Sequence, residues 1–124
     1  MMHYLMTRKF NKWVKKKDIS PQTLAKSLTE VVDGIFEASL GGYIFKKRIA
    51  RHGKGKSGGF RTIICFKQRN LAIYLHGFSK SSKEDISDKE LQSLKALSTI
   101  LLNMNHKELK KAISSGVLLE VNNE

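Results

Sequence analysis

The chain has 124 residues, 40% hydrophobic and 27% charged, with one Pro and nine Gly, which fits one globular domain over 1–124 and excludes collagen-like, low-complexity and wholly disordered chains. A single cysteine, Cys65, excludes an intrachain disulfide and a cysteine-cluster zinc site and fits a reducing compartment, so a cytoplasmic location is expected. Twenty-three Lys and Arg against eleven Asp and Glu give +12, a self-repulsion that points to a polyanionic partner.

In chain order, residues 2–6 read as a short strand. Phe10, Trp13 and Val14 have helical spacing among Arg8, Lys9, Lys12 and Lys15–Lys17, predicting a helix over 7–17. Asp18-Ile19-Ser20-Pro21 is a break and restart, with Ser20 as N-cap and Pro21 in the first turn. Leu24, Leu28, Val31, Val32, Ile35 and Phe36 then share one stripe, so 20–37 completes a helical hairpin. Gly41-Gly42 marks a change of period. Tyr43–Ala50, Phe60–Lys67 and Leu71–Phe78 have strand lengths and strand residues, the last two joined by the hairpin-sized Gln68-Arg69-Asn70. Arg51 to Gly59, with four glycines, reads as a mobile or tightly turning loop. Ser87-Asp88-Lys89-Glu90 is a capping box opening a helix with Leu91, Leu94, Leu97, Leu101 and Met104, a stripe that reads as core. Asn105 with Glu108 opens another short helix ending near Gly116, and 117–121 reads as a last strand. The order predicts an α+β sandwich: a small, mostly antiparallel sheet with an N-terminal helical hairpin and C-terminal helices packed on it.

The charge is unevenly spread. Residues 1–83 carry 18 cations and only Asp18, Glu30, Asp33 and Glu37, a net +14, whereas 84–124 carry −2. No carboxylate lies between Glu37 and Glu84, a stretch holding Lys46, Lys47, Arg48, Arg51, Lys54, Lys56, Arg61, Lys67, Arg69, Lys80 and Lys83. Such a surface suits nucleic acid, with salt-dependent binding. A membrane partner is not expected: no apolar run approaches the ~20 residues a membrane helix needs, the basic stretch is strand-like, and no basic-then-apolar leader opens the chain.

Gly55-Lys56-Ser57 ends a relaxed phosphate-loop pattern, but a strand follows where a phosphate loop opens a helix, so nucleotide hydrolysis is rejected. His3, His52, His76 and His106 lack metal-ligand spacing and the basic stretch lacks carboxylates, so neither metal nor cofactor is expected. Cys65 alternates within an apolar strand and reads as core. What remains is cationic. An antiparallel pairing brings the 51–57 loop, Arg61 and the end of the third long strand to one end of the sheet, so Lys54, Lys56, Arg61 and Lys80 converge on one phosphate. Metal-free RNA cleavage by attack of the 2′-hydroxyl needs a base, charge stabilisation and preferably an acid. A lysine crowded by cations serves as base, and an arginine clamps the phosphate. The plainer reading is a basic groove that only binds.

The run Gly53-Lys54-Gly55-Lys56-Ser57-Gly58-Gly59-Phe60-Arg61-Thr62, then Tyr74–Lys80, then Ile86–Leu91, resembles the RelE/HigB-type toxins of bacterial type II toxin–antitoxin modules over nearly the whole chain. The resemblance implies the RelE/ParE fold, cleavage of messenger RNA in the ribosomal decoding site, and a cognate antitoxin, usually with a helix-turn-helix DNA-binding domain. It implies catalytic roles for Lys54, Lys56, Arg61 and Lys80, and contacts to the RNA backbone from Lys47, Arg48, Arg51, His52 and Lys83. Lys46 and Lys47 alternate faces, so one of them is only solvated. Several family members use a tyrosine shortly after the last cation; here Ile86 and Ser87 stand there, which leaves Lys54, Lys56, His52 and His76 as alternative bases. Two other functions fit the same pattern: a non-catalytic nucleic-acid-binding regulator, and a ParE-like toxin that poisons DNA gyrase.

Overall fold

The computed structural model describes residues 3–51, 55–68, 70–79 and 86–121, with the backbone alone for residues 51, 55–58 and 68. Strand β1 (His3–Thr7) passes directly into helix α1 (Arg8–Lys15), where the Thr7 hydroxyl accepts from the Phe10 amide at 3.1 Å. Helix α2 (Pro21–Val32) starts as its sequence dictates. The Ser20 hydroxyl accepts from the Thr23 amide at 3.1 Å, and Pro21 sits where its missing N–H costs nothing.

The end of α2 departs from expectation. Gly34 takes a φ of +90°, and the Ile35 amide donates to Glu30 O at 2.7 Å while the Gly34 amide donates to Val31 O at 3.0 Å. This double closure stops the helix at Val32, because only glycine enters the left-handed region without cost. Ile35 and Phe36 therefore leave the helical stripe. Ile35 is exposed, and Phe36 packs on Phe45 with ring centroids 4.7 Å apart. The freed chain forms strand β2 (Ala38–Gly41), which periodicity did not predict, and turns through Gly42 and Tyr43 into strand β3 (Ile44–Arg51). Both turn residues have positive φ, 61° and 64°, as a two-residue hairpin loop with primed geometry requires.

Strand β4 (Gly55–Gln68) begins five residues before the predicted strand, and Gly55 pairs with Arg51. The glycine–lysine run expected as a loop is thus largely strand, with residues 52–54 outside the described part. Strand β5 (Leu71–Ser79) follows, then helices α3 (Asp88–Leu102) and α4 (His106–Ser114), and strand β6 (Leu118–Glu120). Both capping boxes form: Ser87 with Glu90, and Asn105 with Glu108.

The fold is α+β, with six strands in the order β2-β3-β4-β5-β1-β6. Every pair is antiparallel except β1 with β5. The helical hairpin carries the chain from β1, inside the sheet, to the far edge at β2. Two cores result. Phe10, Val14, Leu24, Leu28 and Val31 of α1 and α2 pack on Ile49, Ile64, Ala72 and Tyr74. Leu101, Leu109 and Ala112 of α3 and α4 pack with Ile44, Ile63, Cys65, Ile73 and Phe78. Burial of each large side chain contributes about 1.5–3 kcal/mol.

One irregularity positions the site. Ile64 pairs with Tyr74, but its neighbour Ile63 pairs with His76, so β5 carries one extra residue at Leu75. A bulge of this kind shifts the two-residue alternation by one. Tyr74 faces the N-terminal helices, stacked 4.5 Å from Phe10 with its hydroxyl donating to Leu24 O at 2.8 Å. Phe78 instead joins the core on the other side of the sheet, whereas strict alternation from Tyr74 would put both on one side. Gly77 lies under the Trp13 ring, where a Cβ would overlap ring atoms.

Candidate nucleic-acid interface

The central hairpin β3–β4 carries the cations, and strand alternation sends neighbours to opposite faces. Lys47 points beneath α2. It is only 8% exposed, and its ammonium reaches Glu30 Oε1 at 3.0 Å and donates to Ile35 O at 3.2 Å. The expectation that Lys47 grips RNA yields to this placement, because its charge is engaged inside the protein. Lys46 and Arg48, on the other side of β3, are half-buried.

Arg61 occupies the opposite face from Lys47, two residues from Ile63 of the core under α3 and α4. It is 6% exposed, and its Nε donates to Glu37 Oε1 at 2.9 Å. Its Nη1 is buried with no hydrogen-bond partner among the described residues. The register places Arg61 directly opposite Arg48 on β3 and Phe78 on β5. Like charges opposite each other across an antiparallel pair repel. A buried arginine with donors unused costs further free energy, of order 1–3 kcal/mol per unsatisfied group. Both costs fall when an anion sits on this row.

Of the expected convergence of Lys54, Lys56, Arg61 and Lys80, the described residues give only the register beside Arg61. Phe60 pairs with Ser79 and Arg61 with Phe78, so the residue preceding Lys80 lies beside the one preceding Arg61. Lys54, His52, Lys80 and Lys83 lie outside the described residues, and for Arg51 and Lys56 only the strand backbone is described. His76 is half-buried, with its ring 5.9 Å from that of Phe78. Cys65 is fully buried, and desolvation pushes its thiol up to about 12, which suits a core residue and not a nucleophile.

Glu30 and Glu37 were not expected as part of the site. Their only signal in the sequence is scarcity: they are two of four carboxylates in the first 83 residues. Among the described residues, no group of three His, Cys, Asp or Glu is placed to hold a metal ion. A cavity of about 590 Å³ beside the α1–α2 connection is lined, among the described residues, by Asp18, Ile19, Ser20, Pro21, Thr23 and Ala50.

The fold and the cationic row together define a small basic α+β protein with a cation-bearing hairpin at its centre. The family model of the RelE toxin of the RelE/RelB toxin–antitoxin system matches residues 2–121. The chain belongs to this family, and is a toxin of a toxin–antitoxin module with a cognate antitoxin as partner. None of the curated proteins matches the chain. No helix among the described residues is long and apolar enough to cross a membrane.

Proposed function

We propose that the protein is an endoribonuclease that cleaves messenger RNA on the ribosome and so arrests translation in the cytoplasm. In this reading the 2′-hydroxyl oxygen attacks the adjacent phosphorus as the bond from phosphorus to the 5′-oxygen breaks. A base takes the 2′-hydroxyl proton and an acid protonates the departing 5′-oxygen, leaving a 2′,3′-cyclic phosphate and a 5′-hydroxyl. Arg61 stabilises the charge gathering on the phosphoryl oxygens. Lys54, Lys56 and Lys80 share charge stabilisation and proton transfer, with His52 as an alternative base. Arg48, Arg51 and Lys83 hold the RNA backbone, while Lys47 supports the strand from within. The reaction uses cations because the chain between Glu37 and Glu84 supplies no carboxylate for a metal. The antitoxin, carrying a helix-turn-helix DNA-binding domain, covers this basic surface and represses the module.

One observation carries the reading: a nearly buried arginine, with Nε paired to Glu37 and Nη1 without a partner among the described residues, facing a second arginine across the strand pair. Membership of the RelE toxin family supports this reading. The test is induction of the wild-type chain and of the Arg61→Ala/Lys80→Ala double variant in growing cells, with 5′ ends of messages mapped. Wild type is expected to stop growth and create new 5′ ends within translated regions, and the double variant to do neither. Growth arrest with intact messages and broken DNA would overturn the reading.

A further inference from the structure

Among the described residues, two cations are buried on the central hairpin, and their surroundings differ in a way that separates their roles. Lys47 is satisfied, with a carboxylate at 3.0 Å and a carbonyl at 3.2 Å, and both partners come from the C-terminal end of α2 and the residues just after it. Arg61 is equally buried but held on one edge. Glu37, one residue before β2, takes the Nε edge at 2.9 Å, while Nη1 and its two N–H donors meet no acceptor among the described residues. An arginine that served only to knit β2 to β4 would be expected to find acceptors for both ends of its fork, as Lys47 does for its ammonium. Here the Nε edge is fixed and Nη1 is left over among the described residues, in a row that already sets Arg48 opposite Arg61.

We infer that Glu37 is a positioning residue for RNA cleavage: its carboxylate fixes the Nε edge of Arg61 so that the Nη1 end is set for a phosphoryl oxygen. This rests on the reading of the protein as an endoribonuclease. The carboxylate has two opposed effects, and their balance gives the test its sign. It restricts the guanidinium to one orientation, which favours the transition state through prepaid ordering. It also partly cancels the positive charge of Arg61, which weakens ground-state attraction for the phosphate backbone. Loss of the carboxylate therefore lowers kcat while leaving KM unchanged or reduced. A contact that only stabilises the fold lowers the melting temperature and leaves both constants of the folded enzyme as they were. Glutamine at 37 keeps an oxygen able to accept from Nε and loses only the charge, whereas alanine loses the contact outright. Aspartate keeps the charge on a shorter arm.

The experiment measures cleavage of a defined message on programmed ribosomes by the full chain and by Glu37→Gln, Glu37→Asp and Glu37→Ala, each below its own melting temperature. The wild type is expected to cleave. Glu37→Ala is expected to lose at least tenfold in kcat with KM no higher, and Glu37→Gln and Glu37→Asp to fall between. Unchanged or raised kcat in folded Glu37→Ala overturns the inference while leaving the nuclease intact. Absence of cleavage by the wild type overturns the nuclease reading and the inference with it. In parallel, the Arg61 Nε–H resonance is followed by NMR as a short single-stranded RNA is added. A single sharp resonance that shifts with RNA in the wild type and broadens in Glu37→Ala is expected. A wild-type resonance indifferent to RNA contradicts the assignment, whatever the rates.

Discussion

Arg61 and Cys65 lie four residues apart on one strand, both facing the core under α3 and α4, and burial acts on them differently. The guanidinium keeps a carboxylate beside it, and its Nη1 has no acceptor among the described residues. The thiol gives up ionisation, pushed up from 9.0 to about 12 chiefly by desolvation, with a hydrogen bond to Ser98 pulling weakly the other way. Cys65 is therefore expected to resist alkylation in the native protein and to react once urea unfolds it, and Cys65→Ala is expected to stay toxic. Rapid labelling of the native chain would contradict this. The same shift gives a pH dependence. Above about pH 9 the unfolded chain loses the thiol proton while the folded chain keeps it, so unfolding is favoured as pH rises toward 12, by at most about 1.4 kcal/mol per pH unit. Urea melts between pH 8 and pH 10 are expected to show stability falling faster in the wild type than in Cys65→Ala. Parallel curves would refute it.

At the scale of elements, the strand β5 bulge and the glycine beneath Trp13 decide where the site faces. Gly77→Ala places a methyl group against the Trp13 ring, which also packs edge-on to Phe60 at 5.4 Å. Overpacking of this kind costs about 1–3 kcal/mol or more, and a lowered urea midpoint with lost toxicity at the growth temperature is expected. An unchanged midpoint would show that α1 can shift away from the sheet. The helix starts and both capping boxes were legible in the sequence, because Ser20, Ser87 and Asn105 act within three residues of themselves. The end of α2 was not. The apolar stripe continues through Ile35 and Phe36, and the competing signal was the single residue Gly34. Strand β2 was hidden for the same reason, and the parallel pairing of β1 with β5 is a tertiary choice that period-two patterning does not encode. Of the site, the antiparallel register joining Arg61 to the end of β5 was readable, since it needs only a short hairpin. The partners of the buried cations were not readable, because Glu30 and Glu37 reach Lys47 and Arg61 across seventeen and twenty-four residues of chain.

At the scale of the whole molecule, +14 on residues 1–83 against −2 on the remainder makes the protein electrically lopsided. A long-range field of this kind steers acidic or phosphate-bearing partners toward the N-terminal part, and the family assignment implies a cognate antitoxin as partner. Binding to a single-stranded RNA is expected to weaken steeply with salt. Arg48→Ala should flatten the plot of log K against log salt by about 0.7, the single-strand value for one phosphate contact. Lys47→Ala is expected to leave that slope alone and lower stability instead, since its charge is paired inside with Glu30. Equal slopes for wild type and Arg48→Ala would place the RNA elsewhere on the surface.

The account stands on Arg61 as the group that meets the scissile phosphate. Single-turnover cleavage of a message on programmed ribosomes, comparing wild type with folded Arg61→Ala, measures this most directly. Loss of one preorganised donor to developing charge predicts a fall of about 10²–10³ in rate with ribosome binding retained. Equal rates for the two proteins would contradict it.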